Sequence, residues 1–218
     1  MSNNDNNIEK RSFEAFINAI GSEIEQAQVR LISAANAQML FHYWKMGNYI
    51  LYHQNRQGWG SKVIKKLAQA IRFNYPEKKG YSIRNLAYMC QFARSYPLGT
   101  LQSFVETDVK LTNPSVRKIT DAIQSLNNVP FMQEPLAQIQ DVSQTVAAVY
   151  QMPIEDMEKL FMSSPVARIN WASHVIILNS SLPLGVEYWY MKQSVEMGWS
   201  SNVLKIQIDR TAAMQRQG

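Results

Sequence analysis

The sequence contains a single cysteine, Cys90, and only nine Gly and eight Pro in 218 residues. One thiol excludes an internal disulfide framework and argues against a zinc site built from cysteines. So few turn-forming residues argue against a turn-dense all-β sandwich and against a collagen-like chain. Low cysteine usage is typical of a reducing compartment, so we expect a cytoplasmic protein.

Long hydrophobic runs are also missing. The longest aliphatic run is Val175 to Leu178, far too short to cross a bilayer. The first seven residues are polar and lack the apolar centre of a signal peptide. We therefore expect no membrane partner. The overall 46% hydrophobic and 18% charged residues are typical of a folded globular chain of one or two domains.

Positive charge is concentrated in one part of the chain. Residues 61–94 contain eight Lys and Arg against the single acid Glu77, a net charge of +7, whereas the whole chain carries +5. Residues 1–60 are balanced, and residues 95–218 carry a net charge of −2. A basic block of this kind points to a polyanionic partner, of which DNA is the first candidate.

Hydrophobic periodicity predicts a mainly α fold with little or no sheet. We expect a disordered tail at 1–11, a helical region at 12–98, a poorly defined connector or insertion at 99–153, and a second helical region at 154–218 that packs on the first. The first helix is predicted to be long or kinked, with Gly47 as a possible break. Within the connector, Leu136 to Tyr150 is a further candidate helix.

The basic block is predicted to form a helix-turn-helix-like or winged-helix-like unit at 61–96. Its first helix, from Lys62 to about Asn74, has an aliphatic arc and an opposite basic arc. A Pro- and Gly-containing turn of about eight residues, longer than in the tight motif, leads to a second helix from Ile83 to about Tyr96. The predicted core arc of that second helix comprises Ile83, Leu86, Ala87, Met89, Cys90 and Ala93.

The outward side chains of this unit are the candidate nucleic-acid ligands. Six cations would neutralise phosphates, and three residues on the second helix would reach sugars or base edges. The six are Lys62, Lys65, Lys66, Arg72, Lys78 and Lys79, and the three are Arg84, Tyr88 and Gln91. An ordinary solvated face is the alternative interpretation. Phe92 is expected partly on the outer side, and Asn85 is expected either to hold the preceding turn or to read a base.

We identify no catalytic or metal-binding residues. His42, His53 and His174 are too scattered for a metal triad, and each is interpreted as a structural histidine. Cys90 lies on an apolar arc and is expected to be a buried thiol. The sequence has no phosphate-binding Gly loop, dinucleotide fingerprint or Ser/His/Asp arrangement, so we expect no cofactor and no enzymatic activity of this chain.

Two blocks of sequence resemble a known family. The first is Gln57-Gly-Trp-Gly-Ser-Lys-Val-Ile-Lys-Lys-Leu-Ala, followed by Gly80-Tyr-Ser-Ile-Arg-Asn-Leu-Ala-Tyr-Met. The second is Ile169-Asn-Trp-Ala-Ser-His-Val-Ile-Ile-Leu, followed by Glu187-Tyr-Trp-Tyr and Gly198-Trp-Ser. Both resemble the N-terminal domain of the YhcG-like PD-(D/E)xK nucleases and together span about half the chain. Ser201 stands where the family typically has Arg.

The resemblance implies a C-terminal nuclease domain, which we expect to be absent from this chain. Such a domain would use acidic residues and a Lys around Mg²⁺, so magnesium is expected only there. The two tripeptides of matching form, Glu77-Lys-Lys and Asp108-Val-Lys, are interpreted as chance occurrences. The resemblance thus predicts a DNA-binding N-terminal domain that directs a C-terminal catalytic domain, expected to be absent from this chain, to DNA. The alternative is a protein-interaction or homo-oligomerisation module without nucleic-acid contact.

Overall fold

The computed structural model describes residues 2–57, 62–109 and 142–215. These ranges contain nine α-helices and one 3₁₀ turn at Pro165–Ala167, without any strand, which confirms the predicted mainly α fold. The same ranges therefore contain no wing strand. The helices are α1 (Ser2–Gln57), α2 (Lys62–Asn74), α3 (Ile83–Ser95), α4 (Leu98–Val109), α5 (Val142–Tyr150), α6 (Ile154–Ser163), α7 (Trp171–Asn179), α8 (Leu184–Glu196) and α9 (Ser201–Gln215).

Helix α1 is longer and more continuous than the sequence predicts. It begins at Ser2, where a disordered tail was expected, because each residue added to a formed helix gains a hydrogen bond without a new nucleation cost. It also continues through Gly47, which is not a break. A Cβ at Gly47 would lie 2.0 Å from the main-chain oxygen of Met89, so the glycine allows α1 and α3 to pack closely.

Helices α4 and α5 lie within the region predicted to be a connector. Helix α4 buries Leu98, Leu101, Phe104 and Val105, which are spaced by three and four residues as on one face of a helix. The Ser, Thr and Gln residues between them make this periodicity hard to recognise in the sequence. The described part of the candidate helix 136–150 is helical from Val142 onwards. Residues 110–141 lie outside the described part of the chain.

Trp44 of α1 lies at the centre of the main hydrophobic core. Its indole stacks on the ring of Tyr150 with centroids 5.6 Å apart, and its Nε1–H donates to the main-chain oxygen of Tyr96 at 2.8 Å. The Tyr150 hydroxyl donates to Oδ1 of Asn48 at 2.6 Å. These contacts join α1 to α5 and to the end of α3, so one core includes residues from both halves of the chain.

Helices α2 and α3 pack over a smaller second core. Its buried members are Ile50, Ala68, Leu86, Met89 and Cys90. Helix α3 packs mainly against α1, whereas α2 lies at the edge and contributes Ala68 as its only buried residue. Most residues of α2 are therefore solvent-exposed.

None of the helices in the described ranges combines the length and the hydropathy that a bilayer crossing requires.

Candidate nucleic-acid interface

The predicted cations form one exposed basic surface. We define it as Lys62, Lys65, Lys66 and Arg72 of α2, Lys78 and Lys79 of the connecting turn, and Arg84 at the start of α3. All seven are solvent-exposed. Along α2 the lysines follow the steps i, i+3 and i+4, which place them on one side of the helix. The opposite side packs through Ile64, Leu67, Ala68 and Ile71 and also carries the half-buried Val63, which is the aliphatic arc expected from the sequence.

No cation of the basic surface is paired with an acid in the described part of the chain. The ion pairs found there join Arg30 to Glu23, Lys159 to Asp156, Lys192 to Asp108 and Lys205 to Asp209. In addition, neither α2 nor α3 has an acidic residue in its first turn, where one usually complements the helix dipole. Among the described residues, no ion pair therefore neutralises a cation of this surface.

The turn between α2 and α3 is fixed at its second half by Asn85. The Asn85 side-chain amide donates to the main-chain oxygen of Gly80, and its Oδ1 accepts a 2.8 Å hydrogen bond from Nε1 of Trp171 in α7. The main-chain N–H of Asn85 donates to Oγ of Ser82, the N-cap of α3. Of the two roles expected for Asn85, the structure shows the turn-holding one.

Tyr81 provides a second anchor for the same turn. Its hydroxyl lies 2.8 Å from Nε2 of His42 in α1. Burial, followed by the charge of Lys45, lowers the pKa of His42, while burial and then Tyr43 raise the pKa of Tyr81, so both groups are uncharged at neutral pH. Gly80 precedes Tyr81 with φ of +96°, a conformation that favours glycine. The turn that carries Lys78 and Lys79 is thus tied to α1 and α7.

A cleft of about 410 Å³ lies between α2, the turn and α3. Arg72 and Lys78 lie on its walls, and its remaining lining includes Ile71, Tyr81 and the N-cap Ser82. One guanidinium group and one ammonium group beside a helix N-terminus make this cleft suited to an anionic group such as a phosphate.

The three predicted base readers have different environments. Arg84 is exposed and its Nη2 donates to the Tyr88 hydroxyl at 3.5 Å, a contact that lowers the pKa of Tyr88. That hydroxyl also accepts from Nδ2 of Asn179 at 2.9 Å, and Gln91 donates from Nε2 to the main-chain oxygen of Leu178 at 2.8 Å. Tyr88 and Gln91 are therefore half-buried against α7. Of the three residues predicted to contact sugars or bases, Arg84 is the one whose side chain is fully open to solvent.

Sequence reasoning missed two aromatic residues beside the basic surface. Phe73 is 86% exposed and Tyr75 is 56% exposed. Since Phe73 falls within the basic arc of α2 at 100° per residue, a helical wheel contained the signal. Three other expectations were wrong: Ile83 and Ala87 of the predicted core arc are exposed, and Phe92 is fully buried under the ring of His174.

The remaining candidate residues have structural roles. His174 is buried, and its Nε2–H donates to the main-chain oxygen of Val166 at 2.7 Å, while burial lowers its pKa to about 4. Burial raises the pKa of the Cys90 thiol to about 11, which makes it unreactive at neutral pH. Asp108 binds Lys192 at 2.7 Å and accepts from the Tyr188 hydroxyl. The described residues contain no group of three or more metal-ligating side chains.

The fold and the basic surface define a helical domain with an exposed cationic face. The model of the family described as the DUF1016 N-terminal domain matches residues 19–134, slightly more than half of the 218-residue chain. The chain therefore belongs to the DUF1016 N-terminal domain family. The match includes most of α1 and all of α2, α3 and α4, and thus the whole basic surface. A search of curated proteins and a search of solved structures each returned no match.

Proposed function

We propose that this chain is a DNA-binding domain that brings a PD-(D/E)xK nuclease domain to its substrate. The observation that carries the proposal is the basic surface, in which seven exposed cations have no acidic partner in the described part of the chain. Surfaces that serve only for solubility normally mix charges of both signs. The resemblance of the Gln57 and Gly80 sequence blocks to YhcG-like nucleases supports DNA as the polyanion.

The lysines of α2 would contact phosphates along one strand. Lys62, Lys65 and Lys66 occupy about one turn of helix, so neighbouring phosphates can be neutralised without base contacts. Arg72 and Lys78 would hold a further phosphate in the cleft between the helices. Such binding tolerates sequence variation and weakens steeply as salt increases.

Arg84 and Phe73 are the residues that would extend contact from the phosphates to the bases. Arg84 stands at the start of α3 with an exposed guanidinium, a donor suited to guanine edges. The exposed ring of Phe73 would stack on an unpaired base or insert between base pairs. Tyr88 and Gln91 would instead support this surface through their hydrogen bonds to α7.

A salt titration of DNA binding tests the proposal. Fluorescence anisotropy of a labelled duplex, a single strand and a branched junction should show binding whose logarithmic salt slope falls by about one in Lys65→Ala. Lys159→Ala, which removes an exposed lysine of α6, is the matched control and should leave the slope unchanged. No binding to any of the three DNAs at low salt would refute the proposal.

We propose no catalytic role for this chain itself. Incubation of the purified chain with supercoiled and linear DNA in the presence of Mg²⁺ or Mn²⁺ should leave both substrates intact. Cleavage that co-purifies with the chain, and that a variant of the basic surface abolishes, would show that the chain is an enzyme itself.

A further inference from the structure

The N-terminal half of α1 carries an apolar stripe with heptad spacing. Seven positions alternate in steps of four and three residues, which is the a and d pattern of a coiled coil. We call these positions the seam: Phe13, Ile17, Ile20, Ile24, Ala27, Leu31 and Ala34. A repeat of 3.5 residues over three heptads is typical of a helix that pairs with another long helix.

The seam is not covered by any described part of the chain. Its five large side chains are between 46% and 71% exposed. Val29 and Asn36 line the groove toward α7 and α8, and Asn36 donates from Nδ2 to the main-chain oxygen of Ile169 at 3.0 Å. At 100° per residue, Ile20 and Leu31 lie about 140 to 180° around the helix from those two residues. The seam therefore faces away from the rest of the domain.

Phe41, one heptad after Ala34, shows where a partner helix must end. Phe41 continues the heptad spacing after Ala34 but is buried, with its ring centroid 5.4 Å from that of Phe161. The helical domain thus occupies this side of α1 from Phe41 onwards. A partner helix can lie along the seam only over residues 13 to 38, about 38 Å of helix.

Charge complementarity selects a second copy in antiparallel orientation. With Ile24 of one copy opposite Ala27 of the other, Ile20 meets Leu31, and Glu23 on the flank of the seam meets Arg30. Within one chain these two residues already form an ion pair of 2.6 Å, one heptad apart. By contrast, a parallel pair in register would place Glu23 opposite Gln28 and Arg30 opposite Ala35, and would bring the two helical domains together at the same end.

We propose that two copies of this chain associate through an antiparallel coiled coil of their α1 seams. Ile17 of each copy packs against Ala34 of the other, and Phe13 reaches Gln38, just before the point where Phe41 enters the domain core. The two helical domains then lie at opposite ends of the coiled coil, each with its own basic surface. This proposal stands independently of DNA binding, because the seam shares no residue with the basic surface.

The first experiment measures the mass of the chain in solution. Size-exclusion chromatography with light scattering should give twice the 25.0 kDa chain mass at micromolar concentration. Ile24→Glu should raise the dissociation constant by about 100-fold or more, because each dimer contains two copies of this buried side chain. Val29→Glu, on the opposite side of the same helix, is the control and should remain a dimer.

Circular dichroism of each variant should show an unchanged helical signal, since all substituted side chains are exposed in the single chain. A monomeric wild type, or a dimer that Ile24→Glu and Ile20→Glu both leave intact, would overturn the proposal. A monomer in which a thiol introduced by Leu31→Cys is protected from labelling would indicate that another segment of the same chain covers the seam, which would also overturn the proposal.

The second experiment determines the orientation. Ile20→Cys and Leu31→Cys are made separately, and the wild type, whose only thiol is the buried Cys90, is the control. In an antiparallel pair, oxidation cross-links the two variants only when they are mixed. Cross-linking of each variant with itself would show a parallel pair and refute the proposed orientation.

Discussion

The α-carbon of Gly47 in α1 lies directly against the main-chain carbonyl of Met89 in α3. A Cβ added at this position would lie 2.0 Å from that oxygen and 2.8 Å from the Cβ of Ala93. This contact sets the distance between the two helices that support the basic surface. Because the obstructing atoms belong to the backbone of α3, a side chain at residue 47 can be accommodated only if the helices separate.

Gly47→Ala should therefore lower the free energy of unfolding by about 1–3 kcal/mol, the usual cost of overpacking a well-packed core. Urea denaturation followed by circular dichroism measures it. Gly21→Ala in the same helix is the matched control, because a Cβ there meets no atom within 4 Å. That variant should gain about 0.5–1 kcal/mol from its higher helix propensity. Equal effects of the two substitutions would contradict the close approach.

Asn85→Ala should release the turn that carries Lys78 and Lys79. The substitution removes both the donor to the exposed main-chain oxygen of Gly80 and the acceptor of the half-buried Trp171 Nε1–H, so both groups lose their partner in the turn. Hydrogen exchange of the amides of residues 78–82 should accelerate, while the amides of α4 keep their protection. Trp171→Phe, which deletes the indole donor but keeps an aromatic ring and leaves the bond from Asn85 to Gly80, should accelerate exchange less. Unchanged exchange in Asn85→Ala would show that Asn85 does not hold the turn.

The amphipathic pattern of α2 could be predicted from the sequence because both of its faces are determined locally. Ile64, Leu67 and Ile71 pack on the domain, and the lysines of α2 face solvent, as hydrophobic periodicity indicates. The solvent exposure of the basic residues follows from the same pattern.

Contacts between distant segments could not be predicted in this way. A helical wheel places Tyr88, Gln91 and part of Phe92 outward, but α7, about 90 residues later, covers that side of α3. Gly47 resembles a helix break when only its local conformational freedom is considered. The structure shows instead that a glycine is needed there because the backbone of Met89 leaves no room for a Cβ. In each instance the contact that determines the residue's environment comes from a helix distant in sequence, and local sequence patterns do not predict where that helix packs.

Phe73→Ala should weaken DNA binding without lowering stability. The ring is 86% exposed, so its removal costs little folding energy, whereas a stacked base would lose about 1–3 kcal/mol of binding free energy. Anisotropy titrations with single-stranded DNA, together with thermal unfolding, separate these quantities. Phe73→Tyr keeps a ring and should retain affinity. If alanine and tyrosine variants bind equally well, Phe73 does not contact bases.

Glu187→Gln should leave the protein at least as stable at pH 7 as the wild type. Glu187 is buried and accepts a 2.8 Å hydrogen bond from the Tyr96 hydroxyl. Burial raises the pKa of Glu187, against the opposing effect of that hydrogen bond. Since the folded-state pKa is the higher one, the stabilising contribution is complete below the ordinary glutamate pKa and is lost as pH rises through the folded value. Gln mimics the protonated acid and keeps an acceptor for Tyr96.

Urea denaturation between pH 4 and pH 7 checks this prediction. The difference in unfolding free energy between Glu187→Gln and the wild type should grow in favour of the variant as pH rises. Glu187→Ala, which leaves the Tyr96 hydroxyl without its acceptor, should be destabilised at every pH. A wild type that gains stability relative to the Gln variant toward pH 7 would contradict a raised pKa.

His174 should make the protein sensitive to mild acid with the opposite sign. The imidazole is fully buried, and its Nδ1 has no hydrogen-bond partner among the described residues, so a second ring proton would be unpaired. Burial lowers its pKa from 6.5 to about 4. For a base with a depressed folded pKa, stability is complete above pH 6.5 and is lost as pH falls toward 4, by about 2 kcal/mol between pH 7.5 and pH 5. His174→Gln retains a donor toward the Val166 carbonyl and should show a flatter dependence of unfolding free energy on pH in the same urea titrations. The slope that remains then comes from groups such as His42 and His53, whose pKa values burial also lowers. An identical slope in wild type and variant would show that His174 accepts a proton in the folded state as readily as in the unfolded one.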